Sequence, residues 1–97
     1  MYGISVKQEH INLGDRCSPR SCPITQAIQD KFPGRRASVG TTCFYIFNPS
    51  ETEYFVIDNG SLRRANDEEN VAMKLPEEAA EFVFNYDHRL QVEPFSF

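Results

Sequence analysis

The fold is decided by residues 39–65, which read VGTTCFYIFNPSETEYFVIDNGSLRRA. Apolar and small side chains alternate over residues 39–47, which predicts a strand covered on both faces. Turn residues at 48–51 separate this strand from a shorter apolar run at 54–57. Because turn residues between two such runs are typical of paired strands, the stretch predicts a β-hairpin.

The next connection in this stretch is Asn59-Gly60. This dipeptide is the strongest short signal for a hairpin, because both central residues of the turn tolerate positive φ. A short strand over residues 61–65 follows, and then a polar acidic loop over residues 66–70. The stretch therefore predicts three consecutive antiparallel strands.

Two amphipathic helices flank these strands in the sequence. The first begins at Pro23, because proline is favoured in the first helical turn, and it ends before Pro33-Gly34. The second begins at Pro76, and the helix dipole favours the negative charges of Glu77 and Glu78 in its first turn. The predicted buried stripes are Ile24, Ala27, Ile28 and Phe32 in the first helix and Leu75, Ala79, Phe82, Val83 and Tyr86 in the second.

Each end of the chain predicts one further strand. Ile4 and Val6 lie on one face of a strand over residues 2–7, which precedes a polar loop over residues 10–21. A proline interrupts the strand over residues 90–97, which we therefore place at a sheet edge. The order β-α-β-β-β-α-β predicts an α+β fold, with a mainly antiparallel sheet of about four or five strands and two helices packed on it. A chain of 97 residues forms a single domain, 1–97.

Composition limits the kind of protein. The chain is 40% hydrophobic and 12% aromatic, which is enough for one tight core. Its longest apolar run, residues 43–47, is far shorter than the ~20 residues of a membrane span. No signal-peptide pattern opens the sequence, and three cysteines are an unusual set for a small secreted domain. We expect a cytoplasmic monomer with reduced thiols and no membrane partner.

The net charge of −4 is distributed unevenly. Residues 1–47 hold six basic and three acidic groups, which gives +3. Residues 48–97 hold eleven acidic and four basic groups, which gives −7. Such asymmetry indicates either a partner surface of opposite charge or an acidic surface that is only solvated, and the sequence leaves both open.

Metal binding and cysteine catalysis have suitable residue types but unsuitable spacing. Four residues separate Cys17 from Cys22, no second close pair supports them, and Cys43 lies in an apolar run, so we predict no zinc site with His10. A thiol at a helix N-terminus, such as Cys22, becomes nucleophilic, but no base is tied to it in the sequence. A packing or capping role is the favoured interpretation of Cys22, and no cofactor is expected.

Catalytic signatures are missing from the sequence. It has no phosphate-binding glycine loop, no Gly-x-Ser-x-Gly and no His-Glu-x-x-His. We therefore predict a protein that binds a macromolecule and is not an enzyme. One candidate partner is nucleic acid, because Arg35-Arg36 and Arg63-Arg64 flank strands that carry aromatic residues. Paired arginines at strand ends also protect sheet edges, and the acidic balance argues against direct nucleic-acid binding as the main role.

An acidic surface is the other candidate for partner binding. Helical geometry places Phe84 among carboxylates on the outer face of the second helix, as an apolar anchor inside a charged rim. Burial of Phe84 under the C-terminal strand is the alternative. The predicted partner-binding residues are Glu51, Glu53, Asp67, Glu68, Glu69, Glu77, Glu78, Glu81 and Phe84.

Two sets of residues resemble small phage and prophage proteins. The first is His10-Ile11-x-x-Gly14 followed by Cys22-Pro23-Ile24-x-x-Ala27-Ile28. The second is Leu75-Pro76-x-x-Ala79-x-x-Phe82-Val83, Tyr86-Asp87 and Val92-x-Pro94-Phe95-x-Phe97. Residues 35–74 do not take part. These motifs consist mostly of fold determinants.

Among phage proteins of this size and charge, the chain looks most like anti-CRISPR inhibitors. Several members of that class are acidic DNA mimics that occupy the nucleic-acid channel of a CRISPR effector. The resemblance implies binding to Cas proteins of a type I surveillance complex, with type I-F as the suspected target, in the cytoplasm of a bacterial host. A small phage module that binds nucleic acid or a host protein through its arginine pairs is the alternative.

Overall fold

The computed structural model describes residues 2–97, which form three helices and two antiparallel sheets. The α+β architecture predicted from the sequence is confirmed. Among these residues, none of the helices combines the length and apolar character that crossing a bilayer requires. The elements in chain order are β1 (Ser5–Val6), α1 (Gln8–Leu13), α2 (Pro23–Lys31), β2 (Arg36–Val39), β3 (Cys43–Phe47), β4 (Tyr54–Asp58), β5 (Ser61–Arg64), β6 (Met73–Lys74), α3 (Glu77–Asp87) and β7 (Phe95–Ser96).

The larger sheet has five strands in the order β2-β3-β4-β5, with β6 also paired to β3. The hairpin at Asn59-Gly60 is confirmed: φ is +51° and +80° at these two residues, and Asp58 pairs with Ser61. The predicted strand over 39–47 is wrong as one element. Residues 40–42 turn the chain between β2 and β3, where the Gly40 N–H donates to the Cys43 carbonyl at 2.9 Å.

The core lies between the sheet and the helices. Phe44 and Ile46 of β3 are fully buried, and their cluster includes the predicted stripes of both α2 and α3. Phe32 is only half-buried at the end of α2. Because apolar residues recur at helical spacing in both helices, the face that each helix buries was predicted correctly.

The two ends of the chain pair with each other. Ser5 of β1 pairs with Ser96 of β7, and two hydrogen bonds of 2.8 and 2.9 Å link the backbones of Ile4 and Phe97. The two strands form a separate sheet, so the tail does not extend an edge of the larger one. The expected strand over 90–97 is reduced to Phe95–Ser96, since residues 90–94 have no strand pairing.

Helix α1 occupies part of the segment that was predicted as a loop. It is short, and the side chain of His10 caps it by accepting the Lys7 backbone N–H at Nδ1, over 2.9 Å. The Tyr86 hydroxyl lies 3.0 Å from the Ile11 carbonyl and 2.7 Å from the Gly14 carbonyl. These contacts come from packing against the rest of the molecule, and apolar periodicity does not reveal them.

Gly14 ends this first segment against α2. A Cβ at this position would lie 2.6 Å from Cδ of Pro23, which is too close for any side chain. The approach explains why glycine stands at this position.

Candidate functional site

The carboxylates near the β3–β4 turn are paired with arginines of the same chain. Glu51 Oε1 lies 2.5 Å from Nη2 of Arg20, and this hydrogen bond and charge lower the pKa of the Glu51 carboxyl. Glu53 Oε2 lies 3.0 Å from Nε of Arg64. Two of the predicted partner-binding carboxylates are therefore already neutralised within the protein.

The acidic loop after β5 contains one fixed carboxylate and two exposed ones. Glu69 accepts two hydrogen bonds from Arg63 and a third from the Asn66 backbone N–H, at 3.1 Å. Hydrogen bonding to Arg63 is the main reason why the pKa of the Glu69 carboxyl is lowered to about 2. Asp67 and Glu68 point into solvent and form no ion pair within residues 2–97.

Helix α3 carries the larger unpaired part of the predicted site. Glu77, Glu78 and Glu81 are exposed, and within the part of the chain that the structure describes they form no ion pair. Phe84 is 56% exposed, so the alternative that the C-terminal strand covers it is wrong. Its ring stacks on His88, with 4.1 Å between the centroids. We call these four residues, Glu77, Glu78, Glu81 and Phe84, the acidic α3 surface.

The hairpin carboxylates and the acidic α3 surface lie towards different ends of β3. Glu53 follows the turn at the Phe47 end, where its carbonyl accepts the Asn48 N–H at 3.1 Å. The chain enters α3 at the other end, where the Leu75 N–H donates to the Thr42 carbonyl at 2.9 Å. Four strand steps from Cys43 to Phe47 span about 13 Å. The hairpin carboxylates and the start of α3 are therefore separated by about the length of β3.

A groove beside α3 adds residues that the sequence did not indicate. It has a volume of about 530 Å³ and runs between the helix and residues 91–95. Glu93 and Asn85 line it together with Glu78 and Glu81. Only the position of the tail beside the helix brings Glu93 to this surface, so helical spacing could not find it.

The arginine pairs of the nucleic-acid alternative are largely engaged inside the protein. The Arg35 guanidinium lies over the Phe55 ring, 4.3 Å from its centroid. Arg63 binds Asp58 and Glu69, and Arg64 binds Glu53. Arg36 is exposed and has no ion pair within residues 2–97. A phosphate would have to displace a carboxylate from Arg63 or Arg64, which weakens this alternative.

The four zinc ligands considered above do not assemble. Cys17 is exposed, Cys22 is buried and Cys43 is half-buried. In the described residues, the group of ligand atoms close enough to hold a metal consists of Glu9, His10 and Asp30, without a cysteine. Nδ1 of His10 already accepts the Lys7 N–H, so the neutral ring carries its proton on Nε2, which lies 2.6 Å from Asp30 Oδ2. A metal at Nε2 would compete with that proton, which disfavours the site.

Cys22 packs in the core and lacks the lowered pKa of an activated thiol. It is 5% exposed, and its Sγ lies 3.3 Å from Oγ1 of Thr25. Although it is the N-cap residue of α2, its side chain makes no capping hydrogen bond. Burial raises the pKa of the Cys22 thiol, whereas a nucleophilic cysteine requires a lowered one.

Comparisons of the chain with protein-family models, curated proteins and solved structures found no match. The likeness to phage inhibitors therefore stays a prediction from sequence.

Proposed function

We propose that this protein inhibits a type I CRISPR surveillance complex, with type I-F as the first target to test, by binding it through the acidic α3 surface. One observation supports the choice of this surface. Glu77, Glu78 and Glu81 are exposed, and none of them forms an ion pair within residues 2–97. The choice of target comes from the resemblance of the sequence to phage inhibitors.

The geometry of α3 is compatible with a mimic of phosphates. Glu77 and Glu81 are one helical turn apart, about 6 Å along the axis. Lysine and arginine side chains that normally neutralise phosphates would form charge-assisted hydrogen bonds with these carboxylates. Phe84 follows on the same face and offers an apolar anchor at the edge of the charged region. If α3 occupied the nucleic-acid channel of the surveillance complex, target DNA would be excluded from it.

The test measures DNA capture by a purified type I-F surveillance complex with and without saturating amounts of this protein. We expect the protein to reduce DNA capture, and its binding to weaken as salt is added, because added ions screen the exposed charges. DNA capture that is unchanged at saturation would remove this target.

Charge reversal within the protein tests the surface. Glu81→Lys should weaken binding to the complex by about tenfold or more, because it places like charges in contact. Asp67→Lys is the matched control: it reverses one exposed carboxylate outside α3 and should leave inhibition close to the original level. If both variants weakened binding to the complex equally, net charge would determine binding and the α3 surface would not. Circular dichroism verifies that both variants remain folded.

The nucleic-acid alternative predicts a different pattern. Direct binding of DNA by the protein alone, lost in Arg36→Glu and kept in Glu81→Lys, would favour it over inhibition. Arg36 is the suitable position because it is exposed, whereas Arg35 packs on Phe55 and its loss would also affect stability.

A further inference from the structure

Arg35 is a cation that the fold partly buries without giving it a partner. It is half-buried, whereas the other arginines of the chain are exposed. Its Nε is buried and has no hydrogen-bond partner, and no other buried side-chain nitrogen or oxygen within residues 2–97 is left unpaired. No ion pair within the same residues engages its guanidinium. Removing a charged group from water without a partner destabilises the folded state, so this arrangement requires an explanation.

The aromatic ring beneath Arg35 fixes the orientation of its guanidinium. The Cζ of Arg35 lies 4.3 Å from the centroid of the Phe55 ring. The hydrogen bonds that arginine side chains donate within residues 2–97 come from Arg20 and Arg63, so Nη1 and Nη2 of Arg35 donate none. Because Nε is its only nitrogen that is both buried and unpaired, the two terminal nitrogens remain accessible. The planar group is therefore held in place with two donors free for one anion.

The surface around this guanidinium is an apolar face of the β4–β5 hairpin. Phe55 and Ile57 lie on the same face of β4, because alternate residues of a strand share a face. Their cross-strand partners in β5 are Arg64 and Leu62. Phe55, Ile57 and Leu62 are only half-buried. Arg64 is already paired with Glu53, so this face does not offer a row of free cations.

We infer that Arg35 binds the carboxylate of an acidic side chain in a protein partner, whose apolar neighbours lie against Phe55, Ile57 and Leu62. A planar carboxylate accepts hydrogen bonds from two guanidinium nitrogens at once, and its charge compensates the cation that the fold leaves unpaired. A strand of nucleic acid offers phosphates in series and requires several free cations along its path, which this face does not supply. An acidic residue between apolar ones therefore fits this surface better than a phosphate chain.

This inference goes beyond the proposed function, because it assigns a second binding surface of opposite charge. Arg35 lies outside the acidic α3 surface, and the choice of its ligand does not depend on a CRISPR target.

The test uses the full-length protein labelled with nitrogen-15 and three probes: the blocked tripeptides Leu-Asp-Leu and Leu-Asn-Leu, and a short oligothymidylate. Nuclear magnetic resonance follows the Nε–H signal of Arg35, which burial protects from exchange with water. The Asp peptide should shift this signal saturably and bind about tenfold more tightly than the Asn peptide, because the amide lacks the charge that strengthens the hydrogen bonds. Equal binding of the two peptides would overturn the inference. A shift caused by the oligothymidylate and not by the Asp peptide would also overturn it.

Two single variants locate the site. Arg35→Met and Arg36→Met each remove one positive charge, and Arg36 is the next residue and is exposed. Backbone amide shifts of residues 55–62 report binding in both variants. Arg35→Met should abolish the preference for the Asp peptide, and Arg36→Met should keep it. If both variants lost the preference equally, net charge would determine binding and the inference would be overturned.

Thermal denaturation separates a binding role of Arg35 from a structural one. Methionine keeps an apolar contact with the Phe55 ring and removes the unpaired charge, so Arg35→Met should leave the melting temperature unchanged or raise it. A melting temperature that falls further in Arg35→Met than in Arg36→Met, with the preference for the Asp peptide kept, would assign Arg35 to stability and overturn the inference. If Arg35→Met does not fold, the titration of the original protein decides.

The outcome is separable from that of the proposed function. Inhibition of the surveillance complex without binding of the Asp peptide would remove the Arg35 site and keep the function. Binding of the Asp peptide at Arg35 without any effect on DNA capture would keep the site and remove the CRISPR target.

Discussion

Arg63 donates two hydrogen bonds to the carboxylate of Glu69, at 2.8 Å from Nη1 and 2.6 Å from Nη2. The Nε of the same arginine donates to Asp58 at 3.0 Å. One guanidinium thereby joins the end of β4 to the acidic loop after β5. The sequence suggested that this loop offers its charge to a partner, but the charge of Glu69 is used within the protein.

The Arg63–Glu69 pair predicts a specific dependence of stability on pH. The pKa of Glu69 is lowered from 4.5 to about 2, so the ionised carboxylate stabilises the folded state above pH 4.5. This contribution is lost as the pH falls from 4.5 to about 2. Glu69→Gln should therefore lower the melting temperature at pH 7, and the difference from the original protein should fade through that window.

The control for this prediction is Glu68→Gln, because Glu68 is exposed and has no ion pair within residues 2–97. Glu68→Gln should change the melting temperature at pH 7, and the dependence of the melting temperature on pH, much less than Glu69→Gln does. If Glu69→Gln lowered the melting temperature by the same amount from pH 7 to pH 2, the stabilisation would not come from the ionised Glu69 carboxylate.

Phe82 and Phe84 should differ strongly in their effect on stability. Phe82 is 6% exposed and packs against Tyr86 and Phe95, so Phe82→Ala should cost about 3–5 kcal/mol in the free energy of unfolding. Phe84 is 56% exposed, and Phe84→Ala should cost no more than about 0.5–1 kcal/mol. Urea denaturation measures both. If both variants lost the same free energy of unfolding, the placement of Phe82 on the buried face of α3 and Phe84 on the exposed face would be wrong.

The protein should fold without a metal ion. Its buried imidazole, His10, already has a hydrogen-bond partner at each ring nitrogen, Lys7 and Asp30. Protein purified without a chelator should contain no stoichiometric zinc by elemental analysis, and adding a chelator should leave the melting temperature unchanged. One zinc per chain, or a melting temperature that falls with the chelator, would refute this.

The three cysteines should react with a thiol reagent in the order of their exposure. Cys17 is exposed and should be labelled first, and Cys43 is half-buried and should follow more slowly. Cys22 should react only when the protein unfolds, because burial both shields it and raises the pKa of its thiol. Mass spectrometry of time points identifies the labelled residues, and Cys17→Ser should remove the fast phase. Rapid labelling of Cys22 in the folded state would contradict its place in the core.

The residues that carry the resemblance to phage proteins are mainly structural. Gly14 leaves room for Pro23, and His10 caps α1. Phe82, Tyr86 and Phe97 pack in the core. These positions maintain the fold of this chain, whereas the acidic α3 surface that carries the proposed function lies outside them.

The sequence by itself determined the elements whose signals are local. The turn at Asn59-Gly60 needs only two residues that tolerate positive φ, and the face that α3 buries needs only apolar residues at helical spacing. Pro23 likewise marks the start of α2 without any distant contact. Such features depend on neighbours within a few residues along the chain, so the sequence states them directly.

The tertiary structure alone decided which elements and charges meet. Helix α1 depends on contacts with Asp30 and Tyr86, and β1 forms only by pairing with β7 at the other end of the chain. Glu51 and Glu53 were predicted as partner-binding residues, but Arg20 and Arg64 reach them only when the chain is folded. The groove at Glu93 arises in the same way. These features join residues that are far apart in sequence, and their energies depend on distances that composition and periodicity do not contain.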